Sequence, residues 1–192
     1  FIETLRGAAR NDAVARERFL GIMERETARM THLVDDLLSL SRVEENERMR
    51  PAAAVDLGAL VAATLADLEP VIAASGVTVT LTDDSERALV KADANQLRQV
   101  IGNLIENAVK YGSSGGVLNV SLDAVTQHRV LRGDGVALHV QDRGPGIAQH
   151  HIPRLTERFY RVDTHRSRAL GGTGLGLAIV KHIVNRHRGR LL

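Results

Sequence analysis

Residues 169–184 read ALGGTGLGLAIVKHIV, with four glycines from Gly171 to Gly176 and then an apolar run that contains no proline. The run predicts a helix over residues 173–188. Glycine costs conformational entropy on folding, so several of them before a helix require a reason. The segment lacks the Lys-Ser/Thr pair of a Walker loop. Nor is it the dinucleotide fingerprint: the glycines at 172, 174 and 176 follow a polar loop and not a strand. What remains is physical. A glycine-rich helix start offers bare backbone N–H groups and the positive end of the helix dipole to an anion at close range. A flexible hinge, or glycine-mediated helix packing, is the alternative reading.

Two earlier segments bear on the same question. Residues 94–111, ANQLRQVIGNLIENAVKY, form a strongly amphipathic helix whose buried face is Val100, Ile101, Leu104, Ile105 and Ala108. Asn103 and Asn107 stand four apart on one side, with Lys110 beside them. Two carboxamides and an ammonium suit a phosphate chain carrying Mg²⁺, which keeps several waters and takes few protein oxygens. A neutral amide oxygen ligates without repelling phosphate, and a lysine offsets its charge. A solvated polar face would read the same. Residues 136–147, VALHVQDRGPGI, place Asp142 at a strand end before a Gly144-Pro145-Gly146 turn. A carboxylate there can hold one buried hydrogen bond from the exocyclic amine of adenine, where guanine presents a carbonyl. An ordinary Asp-initiated turn is the plainer alternative.

The rest of the chain supplies the frame. Residues 1–10 read as the tail of a helix, and Asn11 or Asp12 caps the next one. Over residues 14–48, Phe19, Met23, Glu26, Met30, Leu33, Leu37 and Leu40 alternate spacings of four and three, a heptad seam with one polar member. Ile22, Val34 and Leu38 widen it. A hairpin of this length cannot bury such a face alone, and a second copy is the simplest partner, giving a dimeric four-helix bundle. Packing on the chain's own globular part is the alternative. After the linker EENERMRP, residues 56–75 read as one helix capped by Asp56. GVTVTLT, RALVKAD, VLNVSLDAV and GVALHVQD read as strands, the last two paired. Residues 143–171 are long, polar and Arg-rich, as expected of a lid. The fold class is α+β, an antiparallel-leaning sheet with helices on one face. GRLL at the end would begin another strand.

Composition excludes several classes. With 44% hydrophobic and 25% charged residues among 192, a core is available, and 3% aromatics make it aliphatic. The absence of cysteine excludes disulfide scaffolds and thiolate metal sites. No apolar run reaches the roughly 18 residues a membrane helix needs, and there is no signal-peptide pattern. The net charge is +2, and only RHRGR clusters basic residues, so nucleic acid is not an expected partner. The chain opens at Phe1 inside a helical pattern and reads as part of something longer.

Taken in order, the Asn/Asn/Lys helix, the Asp-x-Gly-x-Gly turn, the lid and the Gly-x-Gly-x-Gly helix start form a specific set. It resembles the histidine-kinase branch of the ATPase superfamily that includes gyrase, Hsp90 and MutL. NLIENAVKY matches its N box, DRGPGI its first glycine box, ERFYRVD its F box and GGTGLGLAI its second glycine box. FLGIMERETARMTHLVDDLLSLSRVE is similar to the second helix of the family's dimerisation and phosphotransfer hairpin. RVDTHRSRALGGTGLGLAIVKHIVNRHRG is most similar to sensors of the phosphate-regulon type.

The resemblance implies a helical hairpin over residues 1–50, then over 51–192 an α/β two-layer sandwich of the histidine-kinase/Hsp90-like ATPase type. It implies ATP and Mg²⁺, phosphorylation of a histidine in the intact protein, and transfer to a response-regulator aspartate, by positioning and charge neutralisation. Residue by residue, it implies that Asn103 ligates Mg²⁺, that Asn107 and Lys110 meet the phosphates and that Tyr111 lines the pocket. Asp142 would read adenine, with Gly144, Gly146 and Ile147 shaping that wall. Arg161 and Arg168 would approach the γ-phosphate, and Gly172, Thr173, Gly174, Leu175, Gly176 and Leu177 would wrap the phosphates. Asn103, Asn107, Lys110 and Arg161 are the catalytic set so implied. A homodimer through the hairpin is implied too, with a response regulator docked around Leu5, Arg16 and Phe19. The piece would sit in the cytoplasm without touching the membrane that anchors its parent.

Two departures stand out. The family's H box, His-Glu-Leu-Arg-Thr-Pro, is absent, no histidine precedes His32, and His32 in MTHLVDD lacks that context. This piece is therefore expected to bind ATP without phosphorylating itself at the family's site. Thr156 stands where the F box usually begins with Phe. A clamp-type ATPase of the gyrase or Hsp90 kind is the second reading. Such enzymes use a Glu base on the N-box helix, where Glu106 lies, but the heptad hairpin has no place in that design. A nucleotide-binding scaffold without kinase activity is the third.

Overall fold

Aspartates start the main helices. The computed structural model describes residues 2–7, 10–45, 49–85, 89–128, 133–163 and 172–192. A short α1 (Ile2–Arg6) precedes α2 (Ala13–Glu45), where Asp12 Oδ1 accepts from Ala15 N at 2.9 Å. Asp56 caps α3 (Leu57–Asp67) by accepting from Ala59 N at 3.0 Å. Asp93, which the sequence reading passed over, caps α5 (Ala94–Gly112) by accepting from Asn95 N at 3.1 Å and Gln96 N at 3.2 Å. The single helix expected over 56–75 is two. Pro70, which has no N–H, stands in the first turn of α4 (Glu69–Ser75), and the axes of α3 and α4 bend by 58°.

The strand pairings lean antiparallel as expected, with one parallel pair. The order of the larger sheet is β2 (Thr78–Asp84), β4 (Val117–His128), β5 (Gly133–Asp142). β4 and β5 are antiparallel as read, but β2 and β4 are parallel. A parallel pair requires a long crossover, and the chain between them contains α5. RALVKAD does not join this sheet: β3 (Leu89–Lys91) pairs with β1 (Ala54–Asp56), a strand the sequence pattern does not predict and whose last residue is the α3 cap. The predicted final helix is shorter, α6 (Gly176–Arg186), and residues 189–192 form no strand. The lid stretch contains a 3-10 segment, Gln149–Arg154, and its residues 164–171 lie outside those described.

Two aliphatic cores follow from these periods. Leu118, Val120 and Leu122 alternate inward from β4 and meet Leu57, Leu60 and Val61 of α3 and Ile101, Ile105, Ala108 and Val109 of α5. Val100, one position round the α5 helix, joins instead Leu175, Ile179, Val180 and Ile183 around α6 and Leu40 and Val43 of α2. The heptad seam is therefore split. Its end is covered by the chain's own α6, with Leu40 2% exposed, whereas Met30 is 64% and Leu37 42% exposed. The alternative of packing on the chain's own globular part holds for that end. Among the described residues no single helix is long and apolar enough to cross a membrane.

Candidate functional site

The middle of α5 faces the start of α6. A Cβ on Gly176 would lie 3.2 Å from Asn103 Oδ1, so glycine lets the helix start approach that carboxamide. Asn103 Nδ2 is buried with no hydrogen-bond partner among the described residues. An unmet buried donor costs about 1–3 kcal/mol, which is tolerable where a ligand supplies the acceptor. A neutral carboxamide with a buried, unpartnered N–H donor beside a glycine-rich helix start fits a polyphosphate with a hard cation. Asn107 and Lys110 are half-buried on the same helix. Lys110 Nζ lies 2.8 Å from Glu106 Oε2. Such a half-exposed pair is weak, and phosphate can displace its carboxylate.

The Asp142–Gly146 turn clasps the other end of α5. Asp142 Oδ1 accepts from Gly144 N at 2.7 Å, the plain Asp-initiated turn. A Cβ on Gly112 would lie 2.4 Å from Asp142 Cβ, and one on Gly144 would lie 2.8 Å from Gly112 Cα and 3.2 Å from Tyr111 O. These glycines bring the turn onto the Tyr111–Gly112 backbone. Asp142 is exposed at the strand end and not buried as expected. Ile147 beside it is exposed as well.

Phe159 and Arg161 are joined to the glycine segment. Phe159 N donates to Gly174 O at 2.9 Å, and Arg161 Nη2 donates to Gly172 O. Gly174 has φ +76, and a Cβ there would meet the Phe159 backbone at 3.0 Å. Arg161 thus braces the glycine segment instead of standing free, and Arg168 lies outside the described residues. Thr156 accepts from Lys181 Nζ at 3.4 Å. Near the lid's 3-10 segment, His151 Nδ1 is 2.5 Å from Tyr160 Oη, and Arg154 sits 4.2 Å over the Tyr160 ring. Desolvation first, then the charges of His150 and Arg154, hold the His151 pKa below its ordinary value.

Residues 92–192 match the model of the family described as "Histidine kinase-, DNA gyrase B-, and HSP90-like ATPase". The chain belongs to this ATPase family. It is 40% identical over 174 residues to the phosphate regulon sensor protein PhoR of Pseudomonas aeruginosa, covering 91% of this chain and 38% of that protein. The chain thus spans well under half the length of that curated relative. Among solved structures, the Acinetobacter baumannii histidine kinase AdeS superposes with a TM-score of 0.65 at 28% identity, covering 96% of this chain and 81% of that one. Full-length ShkA, solved in complex with AMPPNP, gives 0.70 at 27% identity, covering 93% and 35%. The likeness to phosphate-regulon sensors and the histidine-kinase ATPase fold are borne out.

Within this ATPase frame, several contacts were not legible in the motifs. Gly112 is one. Others join α2 to the glycine segment and the F box. Thr173 Oγ1 donates to Asp36 Oδ2 at 2.6 Å, Glu44 pairs with Arg158, and His182 Nε2 lies 3.5 Å from Glu44 Oε1. A groove of about 450 Å³ between α2 and the lid is lined by Glu26, Arg29, Met30, Leu33, Phe159, Arg161 and Thr173, but not by Asn103 or Asp142. His32 is exposed on α2, as is Arg16, while Phe19 of α2 and Leu5 of α1 are half-buried.

Proposed function

We propose that this chain is the ATP-binding core of a two-component sensor histidine kinase together with part of its helical hairpin. The single observation that carries the reading is Asn103, whose Nδ2 is buried without a partner among the described residues while its Oδ1 faces the glycine start of α6. Residues 1–50 belong to the dimerisation and phosphotransfer hairpin and 51–192 to the nucleotide-binding unit. Asn103 gives its oxygen to Mg²⁺, and Asn107 and Lys110 contact the phosphates. Gly172, Thr173, Gly174, Leu175, Gly176 and Leu177 wrap the phosphates with backbone amides, with Arg161 and Arg168 at the terminal phosphate. Asp142 accepts from the adenine amine, with Tyr111, Gly144, Gly146 and Ile147 around the base. Mg²⁺ bound there neutralises phosphate charge, so the protein's part is to hold the chain in line for transfer.

In the whole protein the acceptor is a histidine outside this sequence, and the phosphoryl group then passes to an aspartate of a response regulator docked near Leu5, Arg16 and Phe19. The exposed Met30, Val34, Leu37 and Leu38 support a homodimer, since such an apolar row wants a second helix pair. The whole protein is a membrane-anchored sensor with this part in the cytoplasm. A clamp-type ATPase has no place for the long apolar row of α2, and that row speaks against it. Titration of the chain with a slowly hydrolysed ATP analogue, with and without magnesium, tests the reading. Micromolar-to-millimolar binding that tightens with magnesium is expected, and an absence of binding under both conditions overturns it.

A further inference from the structure

The glycine segment already has an anion beside it. Thr173 Oγ1 donates to Asp36 Oδ2 at 2.6 Å and accepts from Leu175 N at 3.2 Å. A backbone amide of the expected phosphate cradle is thus engaged, through one hydroxyl, with a carboxylate on α2. Asp36, which carries it, is half-buried. Leu33 and Leu40, three and four residues away, pack into the α6 core. Ser39 Oγ donates to Gln99 Oε1 at 2.8 Å, and Glu44 pairs with Arg158 further along.

We propose that Asp36 is a positioning residue of the nucleotide site, a built-in anion that holds the Thr173 end of the glycine segment and opposes a triphosphate there. The inference rests on reading that segment as the phosphate cradle. Asp36 and the polyphosphate are like charges competing for one set of donors in a partly desolvated place, where Coulomb repulsion is screened less than in bulk water. Nucleotide affinity is lowered by the fraction of molecules in which Asp36 is engaged. By reciprocity, a bound triphosphate loosens the hold on α2. The motif that wraps the phosphates therefore also senses where α2 lies.

Asp36→Asn is the decisive variant, because a carboxamide keeps the shape and can still accept from Thr173, while the charge is gone. Binding of the magnesium complex of a slowly hydrolysed ATP analogue, and of uncharged adenosine, is measured for both proteins at low and high salt. Asp36→Asn should bind the analogue roughly three- to tenfold tighter at low salt, with the gap narrowing at high salt. Adenosine should bind both proteins equally. Asp36→Ala, which lacks both charge and acceptor, should show a gain at least as large, and it serves if the Asn variant does not fold. Unchanged or weaker analogue binding by a folded variant overturns the proposal while leaving the site reading intact, as does an equal change for adenosine. A parent chain that binds no nucleotide overturns the site reading, and this proposal with it.

Discussion

The two cores of the molecule are closed in different ways. The sheet-side core lies within residues 55–140: Ile105 and Leu122 are 0% exposed, and the residues described around them all belong to that stretch. The α6 core is completed only where the end of α2 lies across it. The apolar row that supplies Leu40 and Val43 runs on to Met30, Val34, Leu37 and Leu38, which are exposed. One core specifies a fold. The other specifies a contact between a long helix and that fold, and a long helix with apolar residues to spare has more than one surface to choose from. The polar links across the α2 contact land on α5, the glycine segment, the F box and α6, so the arrangement of α2 is tied to the elements that would handle nucleotide.

This comparison is open to graded tests. Ile105→Ala cuts into the closed core and should cost about 2–5 kcal/mol, read as a lower denaturant midpoint with nucleotide binding lost as the unit unfolds. An effect near zero would mean that the sheet-side core is not the base of the fold. Leu40→Ala removes the same kind of side chain from the conditional core and should cost less, about 2 kcal/mol, because α2 can shift into the space. Limited proteolysis should then cut α2 first and leave the nucleotide unit folded. Equal loss in both variants, with no difference in protection, would erase the distinction between the cores. Glu44→Gln weakens the pair with Arg158 and His182, both partly exposed, and should change stability by about 0.5 kcal/mol or less. A larger penalty would mean that α2 is held mainly by charge.

Much of this was readable in advance because it is periodic or local. The α5 and α6 faces repeat with the helical period, and Asp56 caps α3 within three residues. What escaped was short or distant. β1 has three residues, too few to show alternation, and only its Asp56 stands out, as the helix cap. Pro70 was passed over as a break because apolar residues continue on both sides of it. The parallel pairing of β2 and β4 depends on which way the crossover runs, which no local pattern encodes. Asp36 and Thr173 are 137 positions apart, and Asp36 reads locally as an ordinary solvated helix residue. Gly112 reads as a helix end until Asp142 is seen against it. The site was legible as separate motifs, and the braces between them came only from the fold.

The central claim is that the Asn103 carboxamide and the glycine start of α6 hold a magnesium-bound triphosphate between them. Calorimetric titration of the parent chain and of Asn103→Ala with the magnesium complex of a slowly hydrolysed ATP analogue addresses it directly. The account predicts at least about tenfold weaker binding by the variant, about 1.4 kcal/mol, together with loss of the magnesium dependence and an unchanged fold. Equal affinity with the same magnesium dependence in both proteins would contradict it.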